Sequence, residues 1–316
     1  MIGCGDVAEV KAGPALQKAD GSALVAVMRR DVEKARDFAR RHGVSRAYGT
    51  AADLISDPEV DVVYIATPPS SHCELALEVA RAGKPCLVEK PMAMTPAECA
   101  RMVDAFRDTR QPLWVAYYRR ALPRTLLVRQ LIADGSIGRV TSVHLELFTP
   151  LASPERARSW RFDPSVAGGG LFFDMGAHSV DIVDFLVGPI ADVSAVALNT
   201  GGAYPVEDLV AASFRVGGVA GVGLWNFNAG RHSDCLHLTG TAGSVSFSLF
   251  NDDQVVLQTA EGERQFESRN PLHVHQPLIQ SIVDELRGRG RCESTGENGL
   301  RAAEVMAACV AGYVGA

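Results

Sequence analysis

The chain has 316 residues, a formal net charge of −6, 47% hydrophobic residues and 22% charged residues. That length is enough for two domains with sizeable cores, and the composition is ordinary for a globular protein. The acidic balance and the lack of a basic block argue against a nucleic-acid or polybasic membrane partner. No apolar run reaches the roughly 18 residues that a membrane span needs, and no secretory signal pattern opens the chain.

Strand and helix patterns alternate in the first third of the chain, which predicts βαβ units and a parallel sheet. The strand-like runs lie at 24–28, 60–66, 86–88 and 113–116, and the helical patterns lie at 31–42, 71–82 and 95–110. The chain opens on MIGCGDVAEV, so we expect the first strand to be nearly missing and the native protein to carry further apolar residues upstream.

The pattern changes after about residue 120. A helix at 123–134 is followed by strands joined by Gly, Asn and Asp turns, which predicts an antiparallel sheet. We therefore predict two domains, 1–119 and 120–316. The second-domain strands are expected from 140 onward and at 193–198, 209–215, 220–227, 236–240, 244–249 and 254–258, with helices at 172–187, 275–287 and 297–314.

The seven cysteines are scattered from Cys4 to Cys309 without a CxxC pair, so we expect neither a zinc site nor a disulfide framework. Thiols of this kind are typical of a reducing, cytoplasmic compartment. Histidine pairs such as His273 and His275, or His232 and His237, lack an acid cluster that would complete a metal site, so no metal is expected.

The first motif is a glycine turn that fits G-x-G-x-x-A. Glycines there allow a tight turn and a close approach of backbone to a pyrophosphate at a helix N-terminus, although a plain glycine-rich turn remains an alternative for so short a pattern. The candidate cofactor residues of this motif are Gly3, Gly5, Asp6, Val7 and Ala8.

The tip of the next strand bears on the choice of cofactor. An NAD-binding domain usually offers an acid there to the ribose 2′-hydroxyl. This chain has Arg29 and Arg30, and Asp31 comes two positions late. Two guanidinium groups suit a 2′-phosphate, so NADP is favoured, with NAD possible and two solvated surface arginines as the alternative.

Two further segments follow strands that end at the same sheet edge. Thr67, Pro68 and Pro69 stiffen one loop, and His72 behind them is either functional or bonded to nearby backbone. In the second segment, Glu89 and Lys90 precede a proline. A partly desolvated lysine can polarise a carbonyl or stabilise an alkoxide, whereas the alternative is a surface ion pair before a turn.

The stretch GGGLFFDMGAHSVD at 168–181 leads three glycines into a helix. Asp174, His178 and Asp181 follow at i, i+4 and i+7, which places them on one face among apolar neighbours. Buried polar groups require partners, so this stripe is either part of a catalytic site or a satisfied structural network.

GCGDVA, ATPPSSH, VEKPMA and GGGLFFDMGAHSVD, in this order, resemble the Gfo/Idh/MocA family of NAD(P)-dependent oxidoreductases over essentially the whole chain. The resemblance implies a fold of class α/β, with an N-terminal Rossmann domain and a C-terminal α+β domain. The resemblance further implies that the C-terminal domain has a large open, mostly antiparallel sheet, through which homodimers or homotetramers would form.

The resemblance also implies roles for matching residues. Lys90, Asp174 and His178 match the catalytic lysine and the acid–histidine pair, and His178 would be the proton donor or acceptor. Apart from the resemblance, Glu89 is expected either to pair with Lys90 or to contact the cofactor ribose. The segments AYYRR at 116–120 and SWRFDP at 159–164 resemble pocket-lining segments. Their candidate residues are Tyr118 for cofactor and substrate, and Arg119, Trp160 and Arg161 for substrate.

These observations predict an oxidoreductase that transfers a hydride between NADP(H) and a secondary alcohol or carbonyl of a sugar, polyol or related small molecule. The alternative is a non-catalytic NAD(P)-binding sensor on the same fold. A glycosidase that uses transient oxidation is a third possibility, although its motifs do not occur here.

Overall fold

A computed structural model describes residues 1–5, 8–251 and 254–313. The chain forms two compact units. One contains Met1–Ala121 with Pro271–Leu300, and the other contains Leu122–Asn270 with Arg301–Ala316. The predicted division after residue 119 treats each domain as contiguous and stays a prediction, since the first unit as observed also includes 271–300.

The first unit is built from short parallel strands whose residues are all buried, except in β2, with helices between them. Its strands are β1 Ala26–Met28, β2 Arg46–Tyr48, β3 Val63–Ile65, β4 Cys86–Val88 and β5 Leu113–Val115. Its helices are α1 Gly13–Lys18, α2 Val32–His42, α3 Ala51–Ser56, α4 His72–Arg81 and α5 Pro96–Asp108, and near the end of the chain α10 Gln276–Leu286 and the start of α11 Gly296–Val310. The predicted Rossmann-type parallel sheet is confirmed; β2 and α3 were not predicted.

Ile2 joins the two parts of this sheet. It forms isolated parallel bridges with Met28 of β1 and Ile65 of β3. The backbone N–H of Ile2 donates to the Tyr64 carbonyl at 2.8 Å, and the Met1 amino group donates to the Ala26 carbonyl at 2.7 Å. Residues at the carboxyl ends of β1, β3, β4 and β5 therefore share the edge where ligands bind in open α/β sheets.

The second unit is dominated by an eight-stranded sheet with the order β13-β12-β11-β10-β6-β9-β8-β7. The sheet is antiparallel except for the parallel pair β6 and β9, so the predicted large, mostly antiparallel sheet is confirmed. Its strands are β6 Val140–Phe148, β7 Ile190–Leu198, β8 Leu209–Val216, β9 Val219–Asn226, β10 Ser233–Gly240, β11 Gly243–Phe247, β12 Val255–Thr259 and β13 Gly262–Phe266. Its helices are α6 Pro123–Ala133, α7 Pro154–Ala157, α8 Pro164–Ala167 and α9 Ala177–Leu186, and the C-terminal part of α11.

Several strands of this sheet bury every second residue. In β8, for example, Val210, Ala212, Phe214 and Val216 are buried while their neighbours are more exposed, as expected for a sheet with one covered face. Strand β13 was not predicted, because its sequence GERQF contains only one apolar residue. Within the described ranges, no helix is long and apolar enough to cross a membrane.

Candidate active site

The glycine turn of the first unit requires glycine at its first position. Gly3 has φ +92°, and a Cβ there would lie 2.8 Å from the Ala66 carbonyl oxygen. At Gly5 a Cβ would meet no atom within 4 Å. The turn therefore offers open space beside exposed backbone, which fits a pyrophosphate. Ala8 is buried and begins a helical stretch, whereas Asp6 and Val7 lie outside the described residues.

Arg29 lies against this turn. Its Nη1 donates to the Cys4 carbonyl oxygen at 3.4 Å, so the guanidinium group reaches the glycine motif. Arg30 beside it is exposed. Asp31 has another role, because its carboxylate accepts the Lys34 backbone N–H at 3.3 Å as the N-cap of α2, and it pairs with Lys34 Nζ at 3.1 Å. A carboxylate at a helix N-cap already accepts a hydrogen bond from the first turn of the helix, which leaves it less available to a ribose hydroxyl.

His72 is fully buried and ties two loops of the sheet edge together. Its Nδ1 lies 3.1 Å from the Pro91 carbonyl oxygen and its Nε2 lies 2.7 Å from that of Thr67. Burial lowers the pKa of this imidazole, and a neutral ring can donate from only one nitrogen. This geometry favours the structural role for His72 over contact with a cofactor. Pro69 is buried in the same loop, where the Ser71 hydroxyl donates to Thr67 Oγ1 at 2.8 Å.

Glu89 is buried, and its carboxylate is held by groups of its own unit. One oxygen accepts the Tyr64 hydroxyl, and the other accepts the Lys90 backbone N–H at 3.1 Å. Burial raises the pKa of Glu89, while the Tyr64 and Lys90 contacts act against that rise. Glu89 therefore anchors the backbone of Lys90, an arrangement that favours a supporting role over contact with a ribose. The Lys90–Pro91 peptide bond is cis.

His275 is a buried neighbour of this cluster at the N-cap of α10, and it was not among the predicted catalytic or cofactor residues. Its Nδ1 lies 3.9 Å from the Glu89 carboxylate, and its ring centroid lies 4.5 Å from that of Tyr118. Burial lowers the pKa of His275 to about 3, and the positive charges of Lys11, Lys90 and Arg119 act in the same direction.

The positive charges of Lys11, Lys90 and Arg119 all act on His275, and Lys90 and Arg119 follow the carboxyl ends of β4 and β5. The Arg119 guanidinium carbon lies 5.1 Å from the centre of the Tyr118 ring, and both residues are buried. A concentration of positive charge at this edge suits an anionic ligand, such as a dinucleotide. Lys11 could have been predicted as a site residue, because it closely follows the glycine motif in the chain. No local sequence pattern predicts that Tyr64 and His275 lie beside Glu89.

In the second unit, Arg161 pairs with Asp174 across 3.4 Å. Its guanidinium carbon also lies 4.6 Å from the centre of the Trp160 ring, which is 40% exposed. The structure thus brings the SWRFDP segment and the acidic residue of the glycine-rich segment together. Both residues of this ion pair belong to the second unit.

The helix that carries the polar stripe begins irregularly. Residues Phe172–Gly176 form a π-helical turn before α9, a feature often found at functional sites. The wider turn changes the environment of the predicted stripe. His178 and Asp181 are 3% and 0% exposed, whereas the Asp174 side chain is 30% exposed. The His178 ring centroid lies 6.0 Å from that of Phe250, in an edge-to-face arrangement.

The three glycines before this helix each meet a close neighbour or an unusual backbone angle. Gly168 ends α8 at φ +84°, and a Cβ at Gly169 would overlap the Phe173 ring. A Cβ at Gly170 would lie 2.5 Å from the Glu207 carbonyl oxygen. The Gly170 N–H donates to Glu207 Oε1 at 2.7 Å. Glu207 was not a candidate, because nothing near it in the chain indicates this contact.

No group of three or more His, Cys, Asp or Glu side chains that could hold a metal ion occurs in the part of the chain that the structure describes.

Comparisons with known proteins show the fold and the family of the chain. Residues 1–117 match a family model described as "Oxidoreductase family, NAD-binding Rossmann fold", and residues 125–246 match "GFO/IDH/MocA C-terminal domain". An oxidoreductase of Formosa agariphila is 36% identical over 90% of this chain and 88% of its own length. The 1,5-anhydro-D-fructose reductase of Ensifer adhaerens is 29% identical over 90% of this chain and 86% of its own.

A levoglucosan dehydrogenase solved with NADH and levoglucosan superposes with a TM-score of 0.89. It is 27% identical to this chain and covers 98% of it, with 95% of its own chain matched. Relatives with these names are dehydrogenases and reductases, and the resemblance seen in the motifs is confirmed. The chain is an enzyme of the NAD-binding oxidoreductases and belongs to the Gfo/Idh/MocA family.

Proposed function

We propose that this enzyme transfers a hydride between NADP(H) and a secondary alcohol or carbonyl of a sugar, polyol or related small molecule. The observation that carries the proposal is the glycine turn with Arg29 against it. The positive charges of Lys11, Lys90 and Arg119 around His275, in the same unit, also suit an anionic cofactor. The named activities of the relatives on levoglucosan and 1,5-anhydro-D-fructose support a sugar-like substrate.

The residues of the first unit fit a bound dinucleotide. The turn at Gly3 and Gly5 would receive the pyrophosphate, and Arg29 with Arg30 would hold a 2′-phosphate. When bound, the nicotinamide accepts or donates the hydride. NAD is the competing cofactor, since the levoglucosan dehydrogenase was solved with NADH. The commitment of Asp31 to a helix cap argues against its use as a ribose acceptor and so favours NADP.

Three side chains would carry the proton chemistry. As the family resemblance implies, Lys90 would stabilise the negative charge that develops on the substrate oxygen, and His178 would be the proton donor or acceptor. Asp174 would orient the groups that contact the substrate, with Arg161 as its ion-pair partner. Positioned acid–base help of this type is worth about 10²–10⁴-fold in rate. Trp160 and Arg161 would contact the hydroxyl-rich substrate.

The test of the cofactor proposal is separate titration of NADPH and NADH, followed by nicotinamide fluorescence. Arg29→Ala removes a charge-assisted contact to phosphate, so it should weaken NADPH binding by about 10- to 100-fold and leave NADH binding within about twofold. Arg40→Ala is the matched control, because Arg40 is an exposed arginine of α2 that pairs with Asp37. Equal affinity of the wild-type protein for both cofactors would overturn the assignment of NADP.

The test of catalysis is a panel of sugars and polyols assayed with both cofactors. Lys90→Ala should retain cofactor binding and lose about 10²-fold or more in kcat. A protein that binds NADPH but transfers no hydride to or from any compound would instead be the non-catalytic sensor.

We further propose that two copies of the chain associate through the open sheet. Val196, Leu198 and Val222 are 57%, 46% and 48% exposed. The shallow groove on this face is lined by ten residues with no Lys, Arg, Asp or Glu among them, so a second copy of the same face could cover it without burying unpaired charge. Light scattering should show a dimer or tetramer that Val222→Lys dissociates; a wild-type monomer would contradict the proposal.

The buried free cysteines are compatible with a cytoplasmic location, which stays a prediction.

A further inference from the structure

Glu207 is a buried carboxylate two residues before β8 that the proposed mechanism does not use. It is 2% exposed, and its Oε1 accepts the Gly170 N–H at 2.7 Å. The backbones of Gly170 and Glu207 also lie close together, because a Cβ on Gly170 would lie 2.5 Å from the Glu207 carbonyl oxygen. Glycine at position 170 therefore permits this contact.

Gly170 in turn organises the first turn of the catalytic helix. Its carbonyl oxygen accepts the backbone N–H of Phe173 at 3.1 Å and that of Asp174 at 3.4 Å. Gly170 therefore links the two residues: its N–H is held by the Glu207 carboxylate, and its carbonyl oxygen accepts the Asp174 N–H. His178 lies further along the same continuous helical stretch.

We propose that Glu207 is a positioning residue, whose carboxylate fixes the glycine segment and thereby the placement of Asp174 and His178. The inference rests on the proposed function for its kinetic consequences, but the contact itself does not depend on it. A charge-assisted hydrogen bond to a backbone N–H is stronger than one to a neutral acid, so the ionised form of Glu207 should hold Gly170 more firmly.

The charge state of Glu207 changes in the neutral pH range. Burial raises its pKa to about 7, the Gly170 N–H opposes that rise, and the charge of Asp208 adds to it. The other ionisable groups nearby are the buried Tyr204 hydroxyl, whose pKa is raised by burial and by Asp208 and Glu207, and Arg156, which acts on Tyr204 in the opposite direction. The hold on Gly170 should therefore weaken as the pH falls through 7.

The experiment compares wild type with Glu207→Ala, Glu207→Gln and the control Glu146→Gln, since Glu146 is a partly exposed glutamate of β6 paired with Arg231. Glu207→Ala should lower kcat by about tenfold or more and leave the Kd for NADPH within about twofold. Glu207→Gln retains an acceptor oxygen and should keep kcat at pH 6 within about threefold of wild type. The ratio of wild-type to Glu207→Gln kcat should rise between pH 6 and 8, whereas the ratio for Glu146→Gln should stay constant.

Amide hydrogen exchange of a peptide that covers 168–174 gives a readout that needs no substrate. After correction for intrinsic rates, this peptide should be more protected at pH 8 than at pH 6 in wild type, equally protected at both in Glu207→Gln, and less protected in Glu207→Ala. Unchanged exchange in Glu207→Ala would overturn the inference. If wild type transfers no hydride to any sugar, the proposed function fails, and the exchange result still decides the role of Glu207.

Discussion

Tyr64→Phe removes the hydroxyl that donates to the buried carboxylate of Glu89. Phe differs from Tyr only by this hydroxyl, so the ring keeps its place in the core. Tyr64 is 3% exposed, so water has little access to the carboxylate from this side. Hydrogen bonds to a charged group contribute about 1.5–3 kcal/mol to stability, and those to a neutral group contribute about 0.5–1.5 kcal/mol. The loss in the free energy of unfolding should therefore depend on whether Glu89 is ionised.

The direction of that dependence follows from the raised pKa of Glu89. The native state holds a proton that the unfolded state releases above its ordinary pKa of about 4.3, so stability falls as the pH rises from there through the native pKa. The bond from Tyr64 opposes the rise in pKa. Its removal should raise the Glu89 pKa further and make stability fall more steeply with pH.

Urea unfolding of both proteins at pH 5 and pH 8 measures this effect. We expect the loss to be about 1 kcal/mol where Glu89 is protonated and about 2–3 kcal/mol where it is ionised, so it should be larger at pH 8 than at pH 5. Glu89→Gln is the control, because an amide cannot ionise; in that background Tyr64→Phe should cost the same at both pH values. Equal losses at both pH values in the wild-type background would refute the reasoning, since Glu89 would then keep one protonation state throughout.

Three further outcomes are expected. Gly3→Ala places a Cβ 2.8 Å from the Ala66 carbonyl oxygen at φ +92°, so it should cost about 1–3 kcal/mol in the free energy of unfolding and abolish detectable NADPH binding in a fluorescence titration. Asp31→Ala removes a helix N-cap and should cost about 1 kcal/mol in urea unfolding with the NADPH Kd unchanged; a weakened NADH Kd would instead show contact with the ribose. Arg124→Met leaves the Ser248 and Ser268 carbonyls without their buried donor and should lower stability by about 3–5 kcal/mol, whereas the exposed control Arg139→Met should change it by less than about 0.5 kcal/mol.

Local pattern was sufficient for much of the first unit. Buried parallel strands formed within the predicted apolar runs, at 63–65 of the run 60–66 and at 86–88, because strands covered on both faces need no polar alternation. The helices predicted from 31 and from 95 begin where Asp31 and Thr95 each accept a nearby backbone N–H. Strand β13 shows the limit of this reading: a mostly polar edge strand lacks the hydrophobic pattern that prediction depends on.

The residues of the candidate site fall into two groups: those that a local motif predicted and those that only folding brings close. The positions of Gly3, Lys90 and His178 were found from motifs, because glycine turns, strand tips and helix faces are local features. The neighbours that set their environment were not found. Tyr64 precedes Glu89 by 25 residues, and Glu207 follows Gly170 by 37, so no periodicity connects them.

The sequence by itself determined the family, the alternation of strands and helices, and the residues of the motifs, because each is encoded within a few neighbouring positions. Only the tertiary structure decided which carboxylates are buried, that His72 binds two backbone carbonyls, that β6 pairs in parallel with β9, and that residues 271–300 contribute to the first unit. The physical reason is that burial, hydrogen-bond partners and pKa shifts depend on groups brought close by folding, whatever their separation along the chain.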